Sequence, residues 1–250
     1  MGLKLNKNVV TVTKAITTLE EWQVLASPMG GDKQWRDGRS AKELARYITD
    51  AYPQVPKEVE AVLNRFSCPD AEFEWKAEYV TEFERQGYGR GMGRNHDMVI
   101  WNTDVFVGIE GKADEPFGDK TIGDEVKKAS DNKVLRIDRL CNLVFGDCKE
   151  NHLDLRYQLL TASGGVLLEA KERHIPNAVL LVLVFLRTGV DGHKKPFYRE
   201  ENRQRNNNDW RSFVEQLKAD EIFKGFYRVP DPGTYNGVNL YVQKIEISVP

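Results

Sequence analysis

Cysteine and histidine are scarce, at three and four in 250 residues. Cys68, Cys141 and Cys148 are odd in number and have no framework spacing, which argues against a disulfide scaffold; the expected compartment is a reducing cytoplasm. Cys141, Cys148 and His152 offer only three zinc ligands at a non-standard spacing, so ordinary buried or surface thiols are expected. No apolar run approaches the roughly 20 residues that cross a bilayer. The most apolar stretch, Ala178 to Leu186, suits a strand covered on both faces, and no membrane partner is expected. The opening MGLKLNKNVVTVTKAITT lacks the apolar core of a signal peptide. An excess of one charge is also missing: the net charge of -2 argues against nonspecific coating of nucleic acid, while leaving room for a locally basic groove. GYGRGMGR matches neither the phosphate-cradling Walker pattern nor a dinucleotide fingerprint, and no Ser/His/Asp arrangement can be proposed.

Hydrophobic residues make up 40% of the chain, enough for a sizeable core. The first third reads as helices. Thr18-Leu19-Glu20-Glu21 and Ser40-Ala41-Lys42-Glu43 have the form of capping boxes, and Pro56 suits a first helical turn. Trp35 is expected in the core rather than as a platform for a base. From Glu72 the period becomes two: Phe73, Trp75, Ala77 and Tyr79 alternate with charged residues, as a strand with one wet face requires. Two more strands, HDMVIW and VFVGIEGK, flank a short turn and predict a hairpin. A charged helix over Asp124 to Phe145 is expected next, then a helix in LDLRYQLLTASGGVLLEAKERH, with Gly164-Gly165 as the weak point at its middle. The strand over 177–186 should then run parallel to the hairpin sheet. Residues 187–208 read as a polar loop, Asp209 as a helix cap, and GVNLYVQKIEIS as a last strand.

Side chains two apart on a strand share a face, so Glu110 and Lys112 point the same way. If Thr103 and Asp104 form the hairpin loop, Asp97 lies opposite Glu110; a slip of one residue would send Asp97 to the other face. In that register two carboxylates and an amine converge. With the carbonyl of Gly111, Asp97 and Glu110 make a hard oxygen site suited to Mg²⁺ or Mn²⁺. Such an ion can neutralise a phosphodiester oxygen and lower the pKa of water, and Lys112 can orient that water or stabilise charge on phosphorus.

Asp97 followed by Glu110-Gly111-Lys112 on consecutive strands resembles the PD-(D/E)xK nuclease superfamily, over roughly Glu72 to Leu186. Longer stretches, QWRDGRSAKELA, EGKADEPFG and LRYQLL, are similar to an uncharacterised bacterial family associated with that core. The resemblance implies a restriction-endonuclease-like α/β fold, a mixed sheet flanked by helices with an N-terminal helical extension. It implies Asp97 and Glu110 as metal ligands, Lys112 serving the attacking water, and Gln158 near the site or the nucleic-acid backbone. His96 rather than proline precedes Asp97, a common departure in that superfamily that decides little. Ala162 breaks the Gln-x-x-x-Tyr motif of the RecB-like branch, so exonuclease or helicase-partner behaviour is not carried over.

The resulting expectation is an N-terminal helical region over 1–70 packed on a nuclease-like core over 71–250. The expected function is Mg²⁺- or Mn²⁺-dependent phosphodiester hydrolysis with DNA as substrate; whether two chains pair to cut two strands stays open. The alternative is a catalytically inactive module of the same fold that binds nucleic acid or a protein partner. Arg90 and Arg94 are candidates for phosphate contacts from the glycine-rich segment, and Lys194, Lys195, Arg199, Arg203 and Arg205 from the later loop. Asp114 reads as a solvated turn, Glu115 as a supporting carboxylate, and Glu78 as an exposed acid or a further carboxylate of the site.

Overall fold

Residues 4–8, 16–28, 31–68, 71–85, 87–88, 93–187 and 199–249 are described by the structure, a computed structural model. Along the chain run β1 (Lys4–Asn8), α1 (Leu19–Leu25), α2 (Ser40–Ala51), α3 (Lys57–Leu63), β2 (Glu72–Thr81), β3 (Arg94–Trp101) and β4 (Phe106–Lys112). Then follow α4 (Ile122–Lys127), α5 (Asp131–Phe145), α6 (Tyr157–Glu172), β5 (Asn177–Arg187), α7 (Glu200–Gln216), β6 (Asp220–Phe223), β7 (Phe226–Val229) and β8 (Asn239–Val249). The strands form one mixed sheet of eight in the order β1-β2-β3-β4-β5-β8-β7-β6. This is the expected class: a mixed sheet flanked by helices, with an N-terminal helical portion.

Period-two patterning assigns each face its partner. Phe73, Trp75, Met98, Ile100, Val107, Ile109 and Leu181 share a core with Trp22, Leu44, Ile48 and Val59 of the N-terminal helices. Val99, Phe106, Leu180 and Val182 share the opposite core with Leu140, Leu159, Val166 and Phe213. The central strand β5 is buried on both faces, which its unbroken apolar sequence requires. It runs parallel to β4 and to β8, with α4, α5 and α6 in the crossover from β4.

The hairpin takes the expected register. Trp101 pairs with Phe106 and Met98 with Ile109, which leaves Thr103 and Asp104 at the loop. Asn102 closes it: its side-chain oxygen accepts the N–H groups of Asp104 and Val105 at 2.8 and 3.0 Å.

Several expectations are corrected. The helix over Asp124 to Phe145 is two helices, since Thr121 caps α4 and a new start follows Ser130. The helix after it begins only at Tyr157; it runs through Gly164-Gly165 as one helix. A Cβ on Gly164 would lie 2.7 Å from Leu140 Cδ2, so the missing side chain lets α6 approach α5 closely. Residues 200–208 belong to α7 rather than a loop, anchored by buried Asn206, Trp210 and Phe213. Asp209 is therefore inside a helix, where it accepts Arg156 Nε at 2.8 Å instead of capping. The β6–β7 hairpin and β1 were not foreseen. Among the described residues no helix is long and apolar enough to cross a membrane.

Candidate active site

The sheet changes its facing where the site begins. Ala77 packs on the N-terminal helices, yet Tyr79, two residues on, packs on the opposite core. Between them Glu78 takes φ +49°, a left-handed conformation that breaks the alternation. Its strand partner β3 changes with it. Met98 faces the N-terminal helices, whereas His96 lies against Gly165 of α6.

This turn brings Asp97 into the gap between β3 and β4. Its Oδ2 accepts the Gly111 backbone N–H at 2.8 Å, so a side chain takes the place of a ladder bond. Gly111 has no Cβ, and one built there would lie 3.2 Å from the Ser40 carbonyl oxygen and 3.3 Å from Leu44 Cβ. The first turn of α2 therefore packs directly beneath the Glu110-Gly111-Lys112 segment.

Glu110 is buried and fully engaged. Oε2 accepts from Arg94 Nη2 and from Gln158 Nε2, the latter at 3.3 Å, and Oε1 lies 3.2 Å from His96 Nδ1. Burial alone would raise its pKa, but Arg94, His96 and Lys112 outweigh that and hold it well below the usual carboxylate range. Asp97 behaves oppositely: burial and the nearby Glu110 charge push its pKa up to about 7, against the lowering effect of Lys112. Glu78 is also raised, by burial first and by Glu110, although Asn95 Nδ2 donates to its Oε2 at 2.6 Å. It is half-buried rather than simply exposed.

Lys112 is buried, with its Nζ 3.7 Å from Glu115 Oε1. The same Glu115 oxygen accepts the Ser40 hydroxyl, which itself accepts the Ala113 N–H at 3.0 Å. Ser40 thus does not cap its own helix as its capping-box sequence suggested; Arg39 is the N-cap residue, without a side-chain bond. At the other box, Thr18 does accept the Glu21 N–H, but the Glu21 carboxylate turns to Thr17. The stretches GRSAKELA and EGKADEPFG, far apart in sequence, meet at this hydroxyl. Asp114 is not a free turn: at φ +53° it accepts from the Arg199 backbone and from Asn202, and Asn206 donates to the Glu115 carbonyl. The start of α7 is fastened to the end of β4.

An open cavity of about 770 Å³ adjoins these groups, with Asp97 and Glu110 outside its lining. Arg94, Lys112, Glu115 and Gln158 line it together with Arg39, Lys120, Lys133, Arg136 and Arg199. Seven basic side chains face it against four acidic ones, a local positive balance in a chain whose net charge is -2. Arg90, Lys194 and Lys195 lie outside the described residues. Arg203 pairs with Glu246, and Arg205 is exposed on α7. Trp35 is in the core, as expected. Cys141 is buried and its pKa pushed up to about 12 by burial, Cys148 is exposed, and His152 pairs with Asp147.

Among the described residues no group of three or more His, Cys, Asp or Glu side chains is disposed to hold a metal ion. Asp97 and Glu110 put two carboxylates at this end of the hairpin, and carboxylate oxygens suit a hard divalent ion; burial and Glu110 disfavour the charged form of Asp97, which a cation would favour. Gln158 Oε1, buried without a partner beside Glu110, is a further unused oxygen. Arg94 is the counter-ion of Glu110 in this arrangement. Sequence patterning missed Ser40, His96 and the basic residues Lys120, Lys133 and Arg136; the nearest signal for Ser40 is GRSAKELA, which has the form of a capping box.

The chain belongs to the family described as a domain of unknown function, DUF6946, whose model matches residues 15–249. No curated protein and no solved structure matches it.

Proposed function

We propose that this DUF6946 chain is a metal-dependent nuclease of the PD-(D/E)xK type that hydrolyses phosphodiester bonds, with DNA as its substrate. The observation that carries the reading is the meeting of Asp97, Glu110 and Lys112 at one end of the β3–β4 hairpin, beside an open, basic cavity that Lys112 lines. Asp97 and Glu110, with the Gly111 carbonyl, would hold Mg²⁺ or Mn²⁺. When bound, the ion supplies Lewis acidity toward a phosphodiester oxygen and toward water.

The chain's own residues do the rest. Lys112, kept near the pair by Glu115 and Ser40, orients the attacking water and stabilises charge on the phosphorus. Gln158 holds one Glu110 oxygen from the α6 side. The basic cavity draws in the polyanion and positions its backbone without reading bases.

One observation favours the second reading, an inactive module of the same fold: Glu110 is sealed beneath Arg94. There the guanidinium is the permanent counter-ion and the cavity only binds anions. The test is cleavage of DNA and RNA by purified protein with Mg²⁺ or Mn²⁺. Metal-dependent products that fall about 100-fold or more in Lys112→Ala support the nuclease. Equal background in both proteins refutes it.

A further inference from the structure

His96 is fully buried, and its ring is housed where two glycines leave room. A Cβ on Gly165 would lie 2.6 Å from Nε2 and 3.0 Å from Cε1. One on Gly108 would lie 3.1 Å from Nδ1 and 3.3 Å from Cε1. The slot thus closes on the imidazole from β4 and from α6, and leaves Nδ1 3.2 Å from Glu110 Oε1. Nε2 is buried and has no partner. Of the two neutral tautomers, the one with hydrogen on Nδ1 donates to the carboxylate and leaves only a lone pair at Nε2. The other would turn two lone pairs toward each other and bury an unpaired N–H.

We infer that His96 is the positioning residue of Glu110: it fixes Oε1 through Nδ1–H, so that Oε2, shared by Arg94 and Gln158, is the oxygen whose partners exchange when a cation enters. This rests on the proposed cation site. It gives the Gly164-Gly165 pair a second purpose, since Gly165 makes space for the ring just as Gly164 makes space for Leu140. Orienting groups of this kind are worth about 10–100-fold in metal affinity.

The test compares His96→Asn with His96→Leu by Mn²⁺ titration followed by electron paramagnetic resonance, with urea unfolding of each. Asparagine places an amide N–H near the position of Nδ1, and leucine places none. The inference predicts a loss of about 10–100-fold in Mn²⁺ affinity for leucine and retention of most of it for asparagine. Leucine fills about as much of the slot as histidine and asparagine fills less, so a purely structural role predicts the larger loss for asparagine, the reverse order. Gly165→Ala, which crowds the ring and leaves His96 in place, should weaken Mn²⁺ binding in the same direction. Without any metal, the imidazole ¹⁵N spectrum should show hydrogen on Nδ1, and the signal should move in Glu110→Gln. An affinity loss in asparagine as large as or larger than that in leucine, undiminished affinity in leucine, or a bare Nδ1 overturns the inference. Wild-type protein that binds no Mn²⁺ overturns the cation-site reading first and this inference with it.

Discussion

Asp97 and Gly111 are joined across the β3–β4 gap by a side chain acting as a strand partner, with the carboxylate accepting the backbone N–H at 2.8 Å. One oxygen atom therefore serves the fold, and in the proposed cation site the carboxylate charge would serve the ion. The two contributions separate by substitution. Asp97→Ala leaves the Gly111 N–H without its acceptor and should cost about 1–3 kcal/mol in urea unfolding. Asp97→Asn keeps an oxygen there and removes the charge, so it should cost clearly less. Equal losses would mean that the bond contributes nothing.

The raised pKa of Asp97 has a stability consequence of definite sign. Between its ordinary value of 3.8 and about 7, the folded chain holds a proton on Asp97 that the unfolded chain has released. Its contribution is thus fully present below pH 4 and is lost as pH rises toward 7. Glu110 acts in the opposite sense, but only at more acidic pH, because its pKa is lowered. Glu78, also raised, contributes a slope of the same sign, so metal-free unfolding measured from pH 4 to 8 should show a downward slope that is shallower in Asp97→Asn. An unchanged slope in that variant would remove Asp97 as a source.

Arg94 and Glu110 form a pair whose carboxylate is only 2% exposed. Removing one partner of a buried pair strands the other, typically at about 3–5 kcal/mol. Arg94→Ala should lower the melting temperature in the absence of metal, and Mn²⁺ should restore more of it than it adds to the wild type. Failure of Mn²⁺ to restore stability would favour the inactive module.

Ser40 links the N-terminal helices to Lys112 through Glu115 and the Ala113 N–H. Ser40→Ala should speed hydrogen exchange at Ala113 and cost about 1–3 kcal/mol, the range for a buried donor left unmade. It should also lower the cleavage rate, since Lys112 loses the partner of its partner. Unchanged exchange at Ala113 would sever that link.

The parts of the fold visible in the sequence are those whose burial repeats every two residues. β2, the β3–β4 hairpin with its register, and β5 were readable because apolar alternation or an unbroken apolar run leaves each one facing assignment. β6 was not, because all four of its residues are exposed and leave no alternation. α7 begins in a run of charged and asparagine residues with weak helical patterning; Asn206, Trp210 and Phe213 fix it only through tertiary contact. At the site, Asp97, Glu110 and Lys112 stood out as charges placed on core strands. Ser40 was hidden because its local sequence satisfied a different rule, and His96 because nothing local tells a buried imidazole from an exposed one. The inversion at Glu78 follows from a left-handed backbone at a glutamate, which composition does not mark.

The central claim is that Asp97 and Glu110 share a divalent cation, and Mn²⁺ titration followed by electron paramagnetic resonance at pH 7.5, a value chosen to lie just above about 7, where Asp97 is ionised, tests it most directly. The account predicts saturable binding to the wild type, lost in Asp97→Asn and in Glu110→Gln, and kept in Arg94→Ala. Saturable binding that survives both carboxylate substitutions, or no binding by the wild type, would contradict it.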